Sequence, residues 1–447
     1  MSPARACAFA VARRVFEQGA YADRAFASEA ADLQARDRSL GMRIAYGVVQ
    51  RRATLDHLAA RLLRPELSRL EPAVLAAVRV GLFQVLYLDG IPDHAAVGES
   101  VELVKRTSPG GAKLVNAVLR RAVREGPALL ERLDDDGPQT AAVMHSVPVW
   151  LAEMWWRELG AEEARALLRS VNEPAESAVR VNLLVSSAAE ASERLPVPHR
   201  PAPDLPEGLV LDGPFDAQGS ALWAAGAIMP QSRASMLVSR VLAPQRGQLV
   251  LDLCAAPGGK TTHLAALMEG TGSVHAAERH PGRAEALERT VRRMQAHNVV
   301  VDVLDAAELP TLRPQAVGLY HSVLVDPPCS GLGTLQSRPD LRWRVSPQDV
   351  AELVEVQSRI LRAGAACTTP GGTLVYSVCT ISAAEGRGVV ERFLDRHPAF
   401  SADELGAQHP QWADHADPRY LQLLPHRDGT DGFFIARLRR EPRPPAT

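Results

Sequence analysis

The sequence predicts a multidomain chain of mixed architecture. An all-α domain spans 1–130, a small α+β subdomain spans 140–240, and a doubly wound α/β domain spans 241–440. Three observations carry this. The first third repeats apolar residues at three- and four-residue spacings, with no alternating segment. The middle holds one alternating stretch beside a proline-rich run. From about residue 247, short apolar runs alternate regularly with amphipathic helices, the pattern of a parallel sheet covered by helices.

In the first third, "LGMRIAYGVVQRRATLDHLAARLL" (40–63) and "EPAVLAAVRVGLFQVLYLD" (71–89) carry helical periodicity. Gly90-Ile91-Pro92 and Ser108-Pro109-Gly110-Gly111 punctuate it. "GAKLVNAVLRRAVRE" (111–125) reads as a last amphipathic helix with Arg120, Arg121 and Arg124 on its polar side. "LLERLDDDGPQT" (129–140), acidic and then Gly-Pro, reads as a linker. "SAVRVNLL" (177–184) alternates like a strand, whereas "RLPVPHRPAPDLPEGL" (194–209) has too many prolines for a regular element. The last domain reads as five strands, "QLVLDLC", "SVHAAE", "VVVDVLD", "HSVLVDPPC" and "GTLVYSVC", with helices between, closed by "GFFIARLRR".

Composition narrows the function classes. The sequence has no apolar run of about 18 residues, which predicts no membrane span. The N-terminal stretch scatters arginines through what would be the apolar core of a secretory signal, so a cytoplasmic protein is expected. Five cysteines with no C-x-x-C pair predict neither a disulfide framework nor a zinc site. Net charge is −2, but residues 1–125 carry 19 Lys/Arg against 13 Asp/Glu. That excess fits a nucleic-acid partner or an ordinary solvated surface equally well. Among the 50 basic residues only Lys105, Lys113 and Lys260 are lysines, which draws the eye to the one inside a glycine loop.

That loop, "LDLCAAPGGKTTHL" (251–264), ends like a phosphate-binding P-loop. The first glycine of such a loop belongs at 254, which is Cys254, and Pro257 removes a backbone donor where phosphate oxygens need one. A nucleoside cofactor without phosphates fits better. Gly258 and Gly259 allow close backbone approach, Glu278 ends the second strand where ribose hydroxyls are taken, and Asp305 ends the third, within reach of an adenine amino group. S-adenosylmethionine suits three acids at successive strand ends; NAD fits less well without G-x-G-x-x-G. Each acid alone also reads as a helix cap or turn former.

The fourth and fifth strands end in "VDPPCSGLGT" and "VYSVCTIS", each with a cysteine just past the strand. A lone buried cysteine is usually core filler. Two beside a cofactor crevice suggest covalent catalysis, a thiolate adding to C6 of a pyrimidine so that C5 becomes nucleophilic. Asp326 would then protonate or hydrogen-bond N3 and the exocyclic amine of cytosine. The Asp-Pro-Pro run also reads as a signature of exocyclic-amine methylation, although Cys329 stands where an aromatic residue would stack on the base.

These residues resemble the RNA (cytosine-5) methyltransferases of the Sun/RsmB type over nearly the whole chain. The resemblance lies in "DLCAAPGGKTTH" (252–263), "DPPCSGLGT" (326–334) with "RPDLRW" (338–343), "LVYSVCTISAAE" (374–385), "LPHRDGTDGFFIARL" (424–438) and "QSRAS" (231–235). The helical N-terminus, through "LFQVLYLDGIPDHAAVGESVELVK" and "LVNAVLRR", looks like a NusB-type RNA-binding domain. The resemblance implies a Rossmann-like methyltransferase domain, small-subunit ribosomal RNA as substrate and S-adenosylmethionine as cofactor. It implies Cys379 as the nucleophile on C6 and Cys329 as the residue assisting release by β-elimination. Asp326 and Lys260 would contact the target base and catalytic centre. The 254–260 loop, that is Cys254, Ala255, Ala256, Pro257, Gly258, Gly259 and Lys260, would hold the cofactor with Glu278, Arg283, Asp305 and Asp326. The sequence departs from the family at Ser232, Gln336, Ser337, Ala384 and Gly386. Two other readings stay open: a DNA cytosine-5 methyltransferase with Cys329 as nucleophile, and a non-catalytic RNA-binding assembly factor.

Overall fold

A computed structural model describes residues 2–63 and 66–442; Met1, Arg64 and Pro65 of the expected N-terminal domain, and residues 443–447, lie outside the described residues. The chain forms two compact units, Met1–Glu173 with Leu335–Val345, and Pro174–Thr334 with Ser346–Thr447.

The first unit is helical, as its periodicity predicts. Its helices include Pro3–Gln18, Ala35–Gln50, Pro72–Tyr87 and Pro109–Leu130, and three of these begin on a proline, whose missing N–H is not needed there. Ser108 caps the last one by accepting the Gly111 N–H at 3.2 Å. Ile44, Val48, Leu55, Leu82 and Leu119 are fully buried in the core. Arg120 and Arg124 on the last helix are exposed, and Arg121 is half-buried against Glu125.

The structure divides the chain at Glu173–Pro174 and not in the acidic Gly-Pro stretch. Helices Pro138–His145, Val149–Leu159 and Ala161–Ser170 belong to the first unit. Asp135, in the middle of the acidic run, is folded against partners from the next helices. Asp135 lies 3.0 Å from His145 Nε2 and 2.9 Å from Arg169 Nη2. The "RPDLRW" segment also belongs to this unit. Arg342 is fully buried and donates to the carbonyls of Ser146, Val171 and Leu335 and to Asn172 Oδ1. Trp343 Nε1 donates to the Val49 carbonyl at 2.7 Å.

The second unit holds two sheets. The smaller is built from β1 (Ala178–Val181), β2 (His199–Ala202), β3 (Leu205–Leu211) and β4 (Ile228–Pro230), in the order β2-β3-β1-β4. The β2–β3 hairpin corrects the expectation of an irregular proline-rich stretch. Pro201 sits on the edge strand, where no second ladder asks for its N–H. Pro206 falls at the register shift between Pro201 and Ala202, before β3 meets β1 at Gly208. Asp204 takes a left-handed φ of 58° at the turn.

The larger sheet contains β5 (Leu249–Leu253), β6 (Ser273–Glu278), β7 (Val299–Val303), β8 (Tyr320–Val325), β9 (Thr368–Val378), β10 (Phe400–Ala402), β11 (Leu421–Leu423) and β12 (Phe433–Arg440). Its order is β10-β12-β9-β8-β5-β6-β7, with β11 on β12. Strands β5 to β9 run parallel, and β12 returns antiparallel to β9. The chain leaves β5 toward β6 and β7, then crosses back to β8 on the other side. The crevice at the carboxyl ends of β5 and β8 is therefore the topological switch point, where open α/β sheets bind ligands. The buried valines and leucines of these strands read as continuous apolar runs because helices cover both faces. Among the described residues, no helix is long and apolar enough to cross a membrane.

Candidate active site

The sheet brings the predicted residues to one crevice. β5 ends at Leu253, and the loop from Cys254 turns into the helix Gly259–Leu267. Gly258 makes that turn possible: its φ is 103°, and a Cβ there would lie 2.7 Å from Leu287 Cδ1. Asp252 Oδ2 accepts the Thr261 hydroxyl at 2.6 Å and ties the helix to the strand. Burial holds the Asp252 carboxyl up at about 7.

On the β6 side, Glu278 is buried. Its Oε1 accepts the His280 N–H at 2.9 Å, and Oε2 lies 3.6 Å from Arg283 Nη2. The same Arg283 nitrogen donates to the Ala256 carbonyl at 2.8 Å, so Arg283 fastens the loop to the acid. Asp305 follows β7, caps a short turn by accepting the Ala307 N–H at 3.0 Å, and pairs with Arg279 at 3.5 Å.

On the β8 side, Asp326 Oδ2 accepts Lys260 Nζ at 2.8 Å, and Oδ1 accepts the Ser377 hydroxyl at 2.7 Å. Burial opposes the charge on Lys260. Asp326, by attraction and hydrogen bond, together with Cys379 and Asp252, more than offsets it and raises the ammonium above its usual value. The Lys260 ammonium also lies 5.2 Å from the centre of the Phe433 ring.

The two cysteines meet. Cys329 Sγ and Cys379 Sγ are 3.3 Å apart, each partly exposed, although the residues lie on separate strand-end loops. The shared hydrogen bond polarises the pair. The bond from Cys329 lowers Cys379, helped by Lys260 and resisted by burial and Asp326, and the same bond raises Cys329. Of the two thiols, Cys379 is therefore the more readily ionised. Cys254 behaves differently: burial, with Asp326, Glu278 and Asp252 nearby, drives its thiol well up, so it stays protonated.

Two residues of this centre were not legible in the sequence as functional. Ser377, two positions before Cys379 on β9, holds Asp326 from the side opposite Lys260. Glu385, fully buried, accepts the Ser330 N–H at 2.8 Å. The only sequence signal for either was its place within the second cysteine motif. The departures from the family pattern also resolve. Ser232 caps the helix Arg233–Leu242, accepting the Ser235 N–H at 3.4 Å, the task an aspartate performs at such a position. Gly386 packs under Phe434, where a Cβ would lie 2.8 Å from the ring carbon Cγ. Ala384 is exposed. Gln336 and Ser337 fall in the segment belonging to the first unit, where Gln336 Nε2 donates to the Ser170 carbonyl at 2.9 Å.

Comparison with known proteins agrees with this geometry. Residues 239–439 match the family model of the 16S rRNA methyltransferases RsmB/F, residues 2–124 match the NusB family, and residues 147–218 match the ferredoxin-like domain of RsmF/B-like methyltransferases. Ribosomal RNA small subunit methyltransferase B of Thermus thermophilus is 37% identical, over 91% of this chain and 89% of its own. That of Vibrio cholerae is 31% identical, over 98% of this chain and 97% of its own. The crystal structure of PH0851 superposes with a TM-score of 0.83 at 28% identity, covering 98% of this chain and 99% of that one. A methyltransferase homolog protein from Pyrococcus horikoshii gives 0.60 at 25% identity, over 68% of this chain and 98% of its own. The switch-point crevice, its acids and its paired cysteines therefore sit in a chain that belongs to the RsmB/F family of 16S ribosomal RNA methyltransferases and carries a NusB-family domain at its N-terminus.

Proposed function

We propose that the enzyme methylates C5 of a cytidine in small-subunit ribosomal RNA through a covalent adduct between Cys379 and C6. The observation that carries this reading is the polarised thiol pair, 3.3 Å apart, beside the Lys260–Asp326 ion pair. A methyltransferase acting on an exocyclic nitrogen has no use for two thiols at that place.

The cofactor of this methyltransferase is S-adenosylmethionine, which supplies an electrophilic methyl group. The residues present fit it. One oxygen of Glu278 is spent on its own turn, and the other has only a distant arginine, leaving acceptor capacity toward ribose hydroxyls. Pro257 withholds a backbone donor from phosphate oxygens, and the carboxylates around the loop would repel a polyphosphate's charge. Glu278, Asp305, Arg283 and the 254–260 loop would hold the nucleoside.

The reaction divides among the chain's own groups. The Cys379 thiolate adds to C6, its electron pair forming the S–C6 bond and displacing the C5–C6 π pair, which makes C5 nucleophilic. Asp326, oriented by Lys260 and Ser377, accepts from the exocyclic amine, favouring cytosine, and relays a proton from Lys260 to N3, which neutralises the charge that develops on the ring. After methylation the C5 proton is lost to solvent water, the C5–C6 double bond re-forms and Cys379 leaves C6 as a thiolate, while the N3 proton returns to the Asp326–Lys260 pair; Cys329 assists by hydrogen-bonding the leaving sulfur. Tritium release from 5-tritiated cytidine in ribosomal RNA tests the position. Methylation without tritium release would point to a nitrogen or ribose target instead.

Glu278→Ala is expected to weaken S-adenosylmethionine binding by about 1–3 kcal/mol, because a charge-assisted hydrogen bond is lost. Asp305→Ala should cost less, because that carboxylate is more exposed and already paired with Arg279. Calorimetric titration reads both, and wild-type affinity in both variants would overturn the cofactor assignment of these acids.

In the NusB-family domain, Arg120 and Arg124 are offered as RNA phosphate contacts, since both are exposed on one helix. Lys105 and Arg121 are already paired with Glu102 and Glu125. Replacing Arg120 and Arg124 together by glutamine should reduce the slope of log affinity against log salt by roughly 1 to 2. An unchanged slope would return their charge to ordinary surface solvation.

A further inference from the structure

Glu385 lies in the loop after Cys379, and its carboxylate collects four donors. Oε1 accepts the Ser330 N–H at 2.8 Å and Gln357 Nε2 at 3.0 Å. Oε2 accepts the Ser330 hydroxyl at 2.5 Å and the Thr380 hydroxyl at 3.3 Å. Ser330 directly follows Cys329, and Thr380 directly follows Cys379. The two hydroxyls are themselves 2.8 Å apart. Gln357, on the helix Pro347–Cys367, also donates to the Pro328 carbonyl at 3.0 Å, on the other side of Cys329. The Tyr376 hydroxyl donates to the Glu385 carbonyl at 2.6 Å and anchors the acid to β9.

One buried carboxylate is therefore bonded to the successor of each cysteine and, through Gln357, to the predecessor of one. No covalent link fixes the two loops, and the Gly333 N–H to Cys379 carbonyl bond at 3.1 Å is a further direct tie between them. We propose that Glu385 is the positioning residue that sets the two thiols face to face and thereby governs both formation of the Cys379 adduct and its Cys329-assisted release. This rests on the covalent reading above for its kinetic part and on geometry alone for the thiol contact. An ångström of misplacement at reacting atoms costs on the order of 10²-fold in rate.

The test uses the full-length protein with Glu385→Ala, Glu385→Gln and the milder Ser330→Ala. The first readout is closure of a Cys329–Cys379 disulfide by diamide, in which the thiols give up two protons and two electrons and diamide becomes the hydrazine. Its rate reports thiol approach whatever the catalytic mechanism. The second is methyl transfer to ribosomal RNA, split into kcat and KM, with S-adenosylmethionine affinity as the check on folding. Glu385→Ala should slow closure at least tenfold and lower kcat by about 10²-fold, with KM and cofactor affinity nearly unchanged. Glu385→Gln should recover part of both, and Ser330→Ala should move both in the same direction by less. Should Glu385→Ala not fold, the other two variants decide. Wild-type closure and wild-type kcat in a variant that binds cofactor normally would overturn the proposal. A wild-type enzyme that forms no adduct, yet closes its disulfide only with Glu385 present, would refute the covalent reading and leave the positioning role standing.

Discussion

Cys379→Ala is expected to abolish methyl transfer and form no covalent complex with RNA, while Cys329→Ala traps one. The asymmetry follows from the polarised pair. Cys379 is the more readily ionised of the two, shifted down where Cys329 is shifted up, and Lys260 also favours its thiolate. A mechanism divided into covalent steps can be blocked at each step separately. Without Cys329 the largest cause of the Cys379 shift is lost and attack slows, but Lys260 still favours the thiolate, so attack and methylation proceed while release stalls and protein stays attached to RNA. Denaturing electrophoresis after incubation with ribosomal RNA and S-adenosylmethionine should show a slow band for Cys329→Ala and none for Cys379→Ala. The reverse pattern would make Cys329 the nucleophile, as in the DNA cytosine-5 methyltransferase reading. A band in neither variant would refute the assigned order of attack and release.

Lys260→Met should lower kcat/KM by roughly 10²–10³-fold, the scale of losing one preorganised charge at a reacting centre. Two effects add. The cation at 2.8 Å no longer orients Asp326, and it no longer stabilises the Cys379 thiolate. The second effect has a signature in pH. Cys379 is held below the usual thiol value, so the wild-type rate should rise with pH along a limb that lies below that value. Removing a nearby positive charge disfavours the thiolate, so the limb must move to higher pH in the variant. A fall in rate with the limb unmoved would separate Lys260 from the nucleophile and leave it only its bond to Asp326.

The order of strands β5 to β9 and their helices was legible because a buried parallel sheet writes itself as apolar runs of strand length, and covering helices write themselves as amphipathic ones; β10 and β11, three residues each, are too short to show a period. The placing of the candidate residues was legible from the same pattern, since Glu278 closes β6, Lys260 opens the helix after β5, and Asp305, Asp326, Cys329 and Cys379 follow β7, β8 and β9. The β2–β3 hairpin was not legible. Its prolines forbid a central strand, but only the pairing shows that Pro201 lies on an edge and Pro206 at a register shift. Nor did the acidic stretch near 134–136 behave as the linker its composition suggests, because Asp135 at its centre hydrogen-bonds His145 and pairs with Arg165 and Arg169 farther along the chain.

The sequence by itself determined the class of chain, the helical first third, the doubly wound domain and the residue types that its strand ends present. Those features depend on local periodicity and on spacing within a strand–turn–helix unit. Tertiary structure alone decided which of those ends face one another. The crossing from β7 back to β8 places Asp326 against Lys260, and the parallel pairing of β8 with β9 places Cys329 against Cys379. It also decided that Glu385 and Ser377 serve that centre, and that "RPDLRW" packs with the first unit. Hydrogen bonds between residues about fifty positions apart leave no period in a sequence; they exist only once the sheet has fixed which loops share a crevice.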